Sequence, residues 1–465
     1  MTEPGRSASV PGSFRDPDGF MFRKDGVLYR QVNRSCAEDF RLLMESGLYG
    51  ELTGKGLLAG HEEASIEPPD PASCWKIIRP SEIPFVSYPY EWCFSQMKAA
   101  ALLTLLIQKT SLKYGMSLKD GSAYNVQFRG ASPVFIDTLS FEAYKEGAPW
   151  AAYGQFCRHF LAPLALMSGR DARLLQLLRV HLDGIPLDLA ASLLPIRARF
   201  KPSLFIHLCL HAAAERRYAG RSIKGRSAAV SQRALMGLID SLESAVRALS
   251  WTPRSSGWAG YYASTNYSAL AFSAKQRLVK EFLAETRPSL VFDMGANTGE
   301  FSRLCLKAGA RTVAFDMDPA AVEKNFLASA KSREEGLLPL LLDLANPSPA
   351  LGWANAERMS LMQRPRPDLV LALALAHHLA LSNNVPLAAL AAFFSGLSDG
   401  LVIEFVPKSD SQVRRMLSMR EDVFGEYDQG HFDAAFLKHF EIRRKERLPE
   451  SERTLYLLKR RGTVT

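Results

Sequence analysis

The chain of 465 residues lacks any apolar run long enough to cross a bilayer, which takes roughly 20 residues. Its most apolar stretches, over 99–107 and 368–381, are too short or too interrupted by polar side chains, so no membrane span is expected. Cysteine is scarce: the six residues Cys36, Cys74, Cys93, Cys157, Cys209 and Cys305 include no Cys-x-x-Cys pair. That pattern excludes a disulfide scaffold, suggests no thiolate metal site, and fits reduced thiols in a cytoplasmic protein. Charge excess is small, 57 basic against 48 acidic residues for a net +9, which permits nucleic acid as a partner without favouring it. Hydrophobic residues at 47% and charged ones at 23% exclude wholesale disorder, and the length leaves room for two or three domains. Residues 1–18 are rich in Ser, Pro, Gly and charge and have no apolar core, so a disordered tail is expected there rather than a secretory signal.

Over 19–32, the segments FMF and VLYRQV flank Asp25-Gly26, a pair that favours a two-residue hairpin turn. Extended aromatic sequence follows over 74–92, then helical spacing over 94–114, strand-like segments over 124–128 and 133–136, and helical patterning over 150–210. An α+β domain over 19–211 is expected. Between 215 and 233 stand Arg216, Arg217, Arg221, Lys224, Arg226 and Arg233 against one acid, and 212–260 reads as a basic, partly helical linker. Within 261–465, strands are expected over 290–293, 312–316, 339–343, 369–374 and 400–405, and helices over 300–308, 319–330 and 387–397. Two closing strands are expected over 440–448 and 454–459. Such alternation predicts βαβ units and an α/β, doubly wound, Rossmann-like domain.

The sequence VFDMGANTGE over 291–300 places an acid and two glycines at a strand-to-helix turn. Glycine lets the backbone approach a ligand, and a helix N-terminus offers free N–H groups. The spacing is DxGxxxG rather than GxGxxG, and a carboxylate at the strand end would repel a pyrophosphate, so NAD and FAD are not expected. The second strand ends at Asp316, where an acid can accept both hydroxyls of a ribose. The third ends at Asp343 and Leu344, an acceptor for an adenine amino group and a cover for its ring. Asp293, Gly295, Asn297, Gly299, Asp316, Asp343 and Leu344 are thus the candidate cofactor-binding residues.

DMGANTGEFS, FDMD and LLDLA resemble the class I S-adenosylmethionine (SAM) methyltransferase family over about 275–460. The resemblance implies SAM as cofactor, with Gly295 and Gly299 along its methionine part, Asp316 at the ribose and Asp343 at the adenine. More narrowly, NVQF, PVFIDTLSFE, TNYS, HHL and VIEFVPK resemble a bacterial family of two-domain methyltransferases related to nodulation protein NoeA. That resemblance says little of the reaction: a nodulation-factor saccharide, a lipid-linked sugar, a small metabolite, protein and RNA all stay open as acceptor.

After the fourth strand the sequence reads ALAHHL over 374–379. The Asn/Asp-Pro-Pro-aromatic loop common in enzymes that methylate exocyclic amines is absent, and no cysteine stands near to serve as a thiolate. His377 and His378 are the candidate catalytic residues: an imidazole of near-neutral pKa can take a hydroxyl proton, which favours O-methylation. Capping and packing are the other uses of the same pair. Glu404, in VIEFVPK, suits a pair with a basic residue more than contact with the acceptor. Tyr262, Asn266 and Tyr267 precede the first strand, where similar methyltransferases fold a helix over SAM.

Asp120 and Asn125 stand five apart and Asp137 follows twelve later, a spacing that resembles the catalytic loop of protein kinases. The resemblance implies a nucleotide and magnesium site in a kinase-like first domain, with Lys76 as the phosphate lysine. Departures are substantial: Leu118 and Lys119 stand where the family has His-Arg, Thr-Leu follows Asp137, and no glycine-rich loop lies upstream. An Asx turn and a capped strand end account for the same residues. Two functions stay open, a SAM-dependent methyltransferase and a SAM- or nucleotide-binding regulatory scaffold with a degenerate kinase-like domain. Neither the acceptor nor the oligomeric state follows from these motifs.

Overall fold

The computed structural model describes residues 8–218, 229–253, 267–418 and 422–462. Two compact units result: Met1–Thr252 with Ala350–Arg358, and Pro253–Pro349 with Met359–Thr465.

The first unit opens on an antiparallel sheet of β1 (Ala8–Ser9), β2 (Gly19–Lys24), β3 (Val27–Asn33), β4 (His61–Glu63) and β5 (Cys74–Pro80), in the order β1-β2-β3-β5-β4. Asp25 and Gly26, with φ of 51° and 81°, make the tight turn between β2 and β3, as their sequence predicts. A largely buried helix, Phe94–Lys113, follows. Then come β6 (Met116–Leu118), β7 (Val126–Arg129), β8 (Ser132–Phe135) and β9 (Phe141–Ala143), paired as β6-β9 and β7-β8. Beyond Tyr153 the unit is helical among the described residues, broken where prolines such as Pro186 and Pro195 interrupt the backbone ladder.

Two expectations need correcting here. Residues 8–18 are no loose tail: β1 pairs with β2, Arg15 donates two hydrogen bonds to Glu357 at 2.8 and 2.7 Å, and Asp16 and Asp18 pair with Arg30 and Lys119. Ion pairing to distant residues orders a segment whose composition alone reads as disordered; residues 1–7 lie outside the described residues. The expected linker over 212–260 also contains structure of the first unit. Its helix Gln232–Ala248 buries Leu235, Ile239, Leu242 and Val246, and its Asp240 and Glu243 pair with Lys109 of helix Phe94–Lys113. Residues 219–228 and 254–266, with the candidates Tyr262 and Asn266, lie outside the described residues.

The second unit is a seven-stranded sheet of β10 (Leu290–Met294), β11 (Arg311–Asp316), β12 (Leu337–Leu341), β13 (Leu369–Ala372), β14 (Gly400–Phe405), β15 (Phe440–Arg447) and β16 (Thr454–Arg460). The order is β12-β11-β10-β13-β14-β16-β15; β10 to β14 run parallel, and β16 and β15 close the edge antiparallel. The parallel strands are almost wholly buried, as expected where helices cover both faces. Val279, Phe282, Val291, Cys305, Leu371 and Val402 form the core between sheet and helices. Strand β12 ends at Leu341, two residues before the expected end, so Asp343 stands in the loop beyond it. Strand order reverses between β10 and β13, and in such sheets the crevice beyond the carboxyl ends at that point is where ligands sit.

Candidate functional site

At that crevice the second unit holds a cavity of about 310 Å³. Asp293, Gly295 and Asn297 from the β10 turn, Asp316 from β11, Asp343 and Leu344 after β12, and His378 after β13 all line it. The spread of these residues over the sequence is bridged by the parallel register, which sets Asp293 beside Ala314 and Asp316 beside Leu341.

Gly295 has φ of 78°, a left-handed conformation that costs glycine little. Asn297, itself at φ of 50°, turns its N–H toward Asp316 Oδ2 at 2.8 Å, while Asp316 Oδ1 accepts from the Asp318 N–H at 2.9 Å. Burial pushes the Asp316 carboxyl up to about 6 despite these donors. Asp293 is also pushed to about 6 by burial, with Ser302 donating to it at 2.6 Å and Asp316 repelling it. Asp343 is exposed and accepts from the Ala345 N–H at 2.9 Å. Met317, Leu342 and Leu344 supply apolar wall beside the two acids.

Two expected site residues lie elsewhere. Gly299 does not line the cavity: at φ of 83° it caps helix Glu300–Lys307, and a Cβ there would meet Asn325 Oδ1 at 2.4 Å. Its left-handed backbone favours glycine with or without a ligand nearby. His377 is buried behind the wall, its ring 4.0 Å from that of His378, and burial holds it well below its usual value. His378 does reach the cavity, but burial lowers it to about 4, so the near-neutral pKa expected of a strong general base is not met.

Lys275 carries no signal of its own in the sequence. From helix Ala269–Thr286 this buried lysine lines the cavity, donating to Glu404 Oε2 at 2.7 Å and to the Tyr267 hydroxyl at 2.9 Å. Glu404 also accepts from Tyr267 at 2.5 Å and from the Ala374 N–H at 2.9 Å, and Arg453 stands 3.8 Å away. Burial opposes the Glu404 charge, yet Lys275 and Arg453 hold its carboxyl below the usual range. Glu404 thus makes the pair with a basic residue expected of it, as an acid within the apolar strand GLVIEF requires.

In the first unit, Asn125 and Asp137 are brought together through Ser140, which accepts from Asn125 at 3.1 Å and donates to Asp137 at 2.5 Å. Asp120 makes an Asx turn to Ser122 at 2.9 Å, and burial, with Asp137 nearby, raises its carboxyl. Asp137 is half-buried, and the Arg30 guanidinium pairs with it and outweighs the cost of desolvation, holding its carboxyl below the usual range. Lys76 pairs with Glu63 and lies over Trp75, so the cation at Asp137 is Arg30 instead. The Asp137 carboxylate, the expected metal ligand, thus already faces a cation, and no group of three His, Cys, Asp or Glu side chains that could hold a metal ion occurs among the described residues.

No family model matches the chain. Among solved structures, magnesium protoporphyrin IX methyltransferase (ChlM) from Synechocystis PCC 6803 is 16% identical over 44% of this chain and 93% of its own, with a TM-score of 0.32. The N-methyltransferase NodS from Bradyrhizobium japonicum WM9 is 11% identical over 42% of this chain and 99% of its own, with a TM-score of 0.29. Nodulation protein NoeA of Rhizobium meliloti (strain 1021) is 37% identical over 98% of this chain and 96% of its own length. At that identity and coverage, the chain belongs to the family of nodulation protein NoeA.

Proposed function

We propose that this protein is a SAM-dependent methyltransferase whose second unit binds the cofactor and carries out transfer to a hydroxyl. The observation that carries the reading is the cavity at the switch point, with Asp316 and Asp343 as separate acceptors beside the apolar Met317, Leu342 and Leu344. A nucleoside needs that combination: acceptors for ribose hydroxyls and an adenine amino group, and apolar wall for the ring. Asp293 lines the same cavity and is an acceptor for the ammonium of an amino-acid moiety. When bound, SAM supplies a methyl group on a sulfonium, which in-line approach of a nucleophile suffices to remove.

The chain's own task is therefore positioning and exclusion of water. His378 faces the cavity as a neutral imidazole at pH 7, accepts a hydrogen bond from an acceptor hydroxyl, and takes its proton as the O–CH3 bond forms and the sulfonium S–CH3 bond breaks, releasing it afterwards to water. His377 supports its ring from behind. The name of the NoeA relative places that protein in nodulation, and we carry over a saccharide or similar polyhydroxylated small molecule as the acceptor class. Incubation with methyl-labelled SAM and hydroxylated saccharides is expected to yield labelled product and S-adenosylhomocysteine, with His378→Ala lowering turnover more than SAM affinity. SAM binding with no turnover on any acceptor would favour the regulatory scaffold.

A further inference from the structure

The first unit carries an apolar face that none of the chemistry above uses. A continuous helical segment runs through Pro202–Leu204, a π-turn at Phe205–Leu210, and His211–Tyr218. Its inner side is fixed: Leu204, Leu208 and Ala212 are buried, and the His207 ring bonds the Tyr153 hydroxyl and Ser241 Oγ, both at 2.9 Å. Its outer side is apolar as well, with Phe205, Ile206 and Leu210 exposed by 37, 49 and 49%, while Ile196 and Phe200 in the preceding turn are exposed by 73 and 81%. A monomeric surface rarely leaves so many large apolar side chains together.

Basic residues flank this face. Arg197 and Lys201 stand exposed before it and Arg216 and Arg217 after it, while the acid among them, Glu215, is paired with Arg158. A face of Phe, Ile and Leu framed by arginine and lysine is matched to an interface that is apolar inside and anionic at its surface. A second copy would bring like charges together around the same patch, which opposes self-association. Among the described residues no helix is long and apolar enough to cross a membrane, so the attachment would be peripheral.

We propose that this face docks on an anionic lipid surface, with Phe200, Phe205, Ile206 and Leu210 entering the headgroup boundary and Arg216 and Arg217 pairing with lipid phosphates. The test is co-sedimentation of the full chain with vesicles of phosphatidylcholine alone or mixed with phosphatidylglycerol, at low and high salt. Binding is expected to the mixed vesicles and to weaken with salt. Replacing Arg216→Gln and Arg217→Gln is expected to lower partitioning roughly fivefold per charge. Phe200→Ser with Ile206→Ser is expected to lower it roughly tenfold or more, because two apolar side chains no longer enter the boundary. Both pairs are exposed, so their thermal midpoints should match the wild type. Absence of binding to the mixed vesicles, equal binding to both vesicle types, or binding unaffected by both pairs would overturn the proposal. So would a dimer in light scattering that the apolar pair dissociates while vesicles go unbound, an outcome that gives the face to a second copy.

Discussion

Asp293 and Asp316 hold their protons up to about pH 6 because burial costs their ionised forms more than the nearby donors return. A carboxyl raised in the folded state stabilises the fold below its unfolded value and loses that contribution as pH rises through its folded value. Wild-type stability should therefore fall between the ordinary Asp value of 3.8 and about 6 on account of Asp293. Asp293→Asn keeps an oxygen for Ser302 but carries no charge. It is expected to be more stable than the wild type by about 3 kcal/mol at pH 8 and nearly indistinguishable at pH 4, as read by urea denaturation at both values. A difference that is constant with pH would refute this. Much of the site at this scale was legible, because Asp293, Gly295 and Asp316 sit at strand ends where backbone topology dictates what they face. Gly299 was not, since a glycine favoured by a left-handed backbone looks the same with or without a ligand nearby. Lys275 was missed because one lysine in a helix reads as solvated until the strand carrying Glu404 is placed against it.

Among elements, helix Ala269–Thr286 is tied to β14 by Lys275 and Glu404, each nearly fully buried. Removing one partner leaves an uncompensated buried charge, so Lys275→Met alone is expected to cost about 3–5 kcal/mol. The double replacement Lys275→Met with Glu404→Gln should cost less than the sum of the singles. A double-mutant cycle by chemical denaturation checks this, and additive costs would show that the pair is not coupled. The βαβ elements were readable from hydrophobic runs between turn signals: β14 and helix Leu387–Leu397 fall on the expected residues. The segment at residues 8–18 was not, because its order comes from Arg30, Lys119 and Glu357, far away in the chain.

At the scale of the whole molecule, two units divide the chain, and the chemistry proposed for them differs. In the first, Asp137 has its charge matched by Arg30, so titration of the full chain with ATP and magnesium should show no saturable heat. Heat that saturates and disappears in Asp137→Asn would contradict that. Arg30→Met should lower the thermal midpoint, since it strips the half-buried Asp137 and Asp16 of their shared partner. The second unit bears the central claim, that the switch-point cavity is a SAM site. Its most direct test is calorimetric titration of the full chain with SAM at pH 8, alongside Asp316→Ala and the exposed, less disruptive Asp343→Ala. The predicted result is one saturable site, with affinity lowered roughly tenfold or more in Asp316→Ala through loss of hydrogen bonds to a charged acceptor, and lowered less in Asp343→Ala. No binding by the wild type, or equal affinity in all three proteins, would contradict the account.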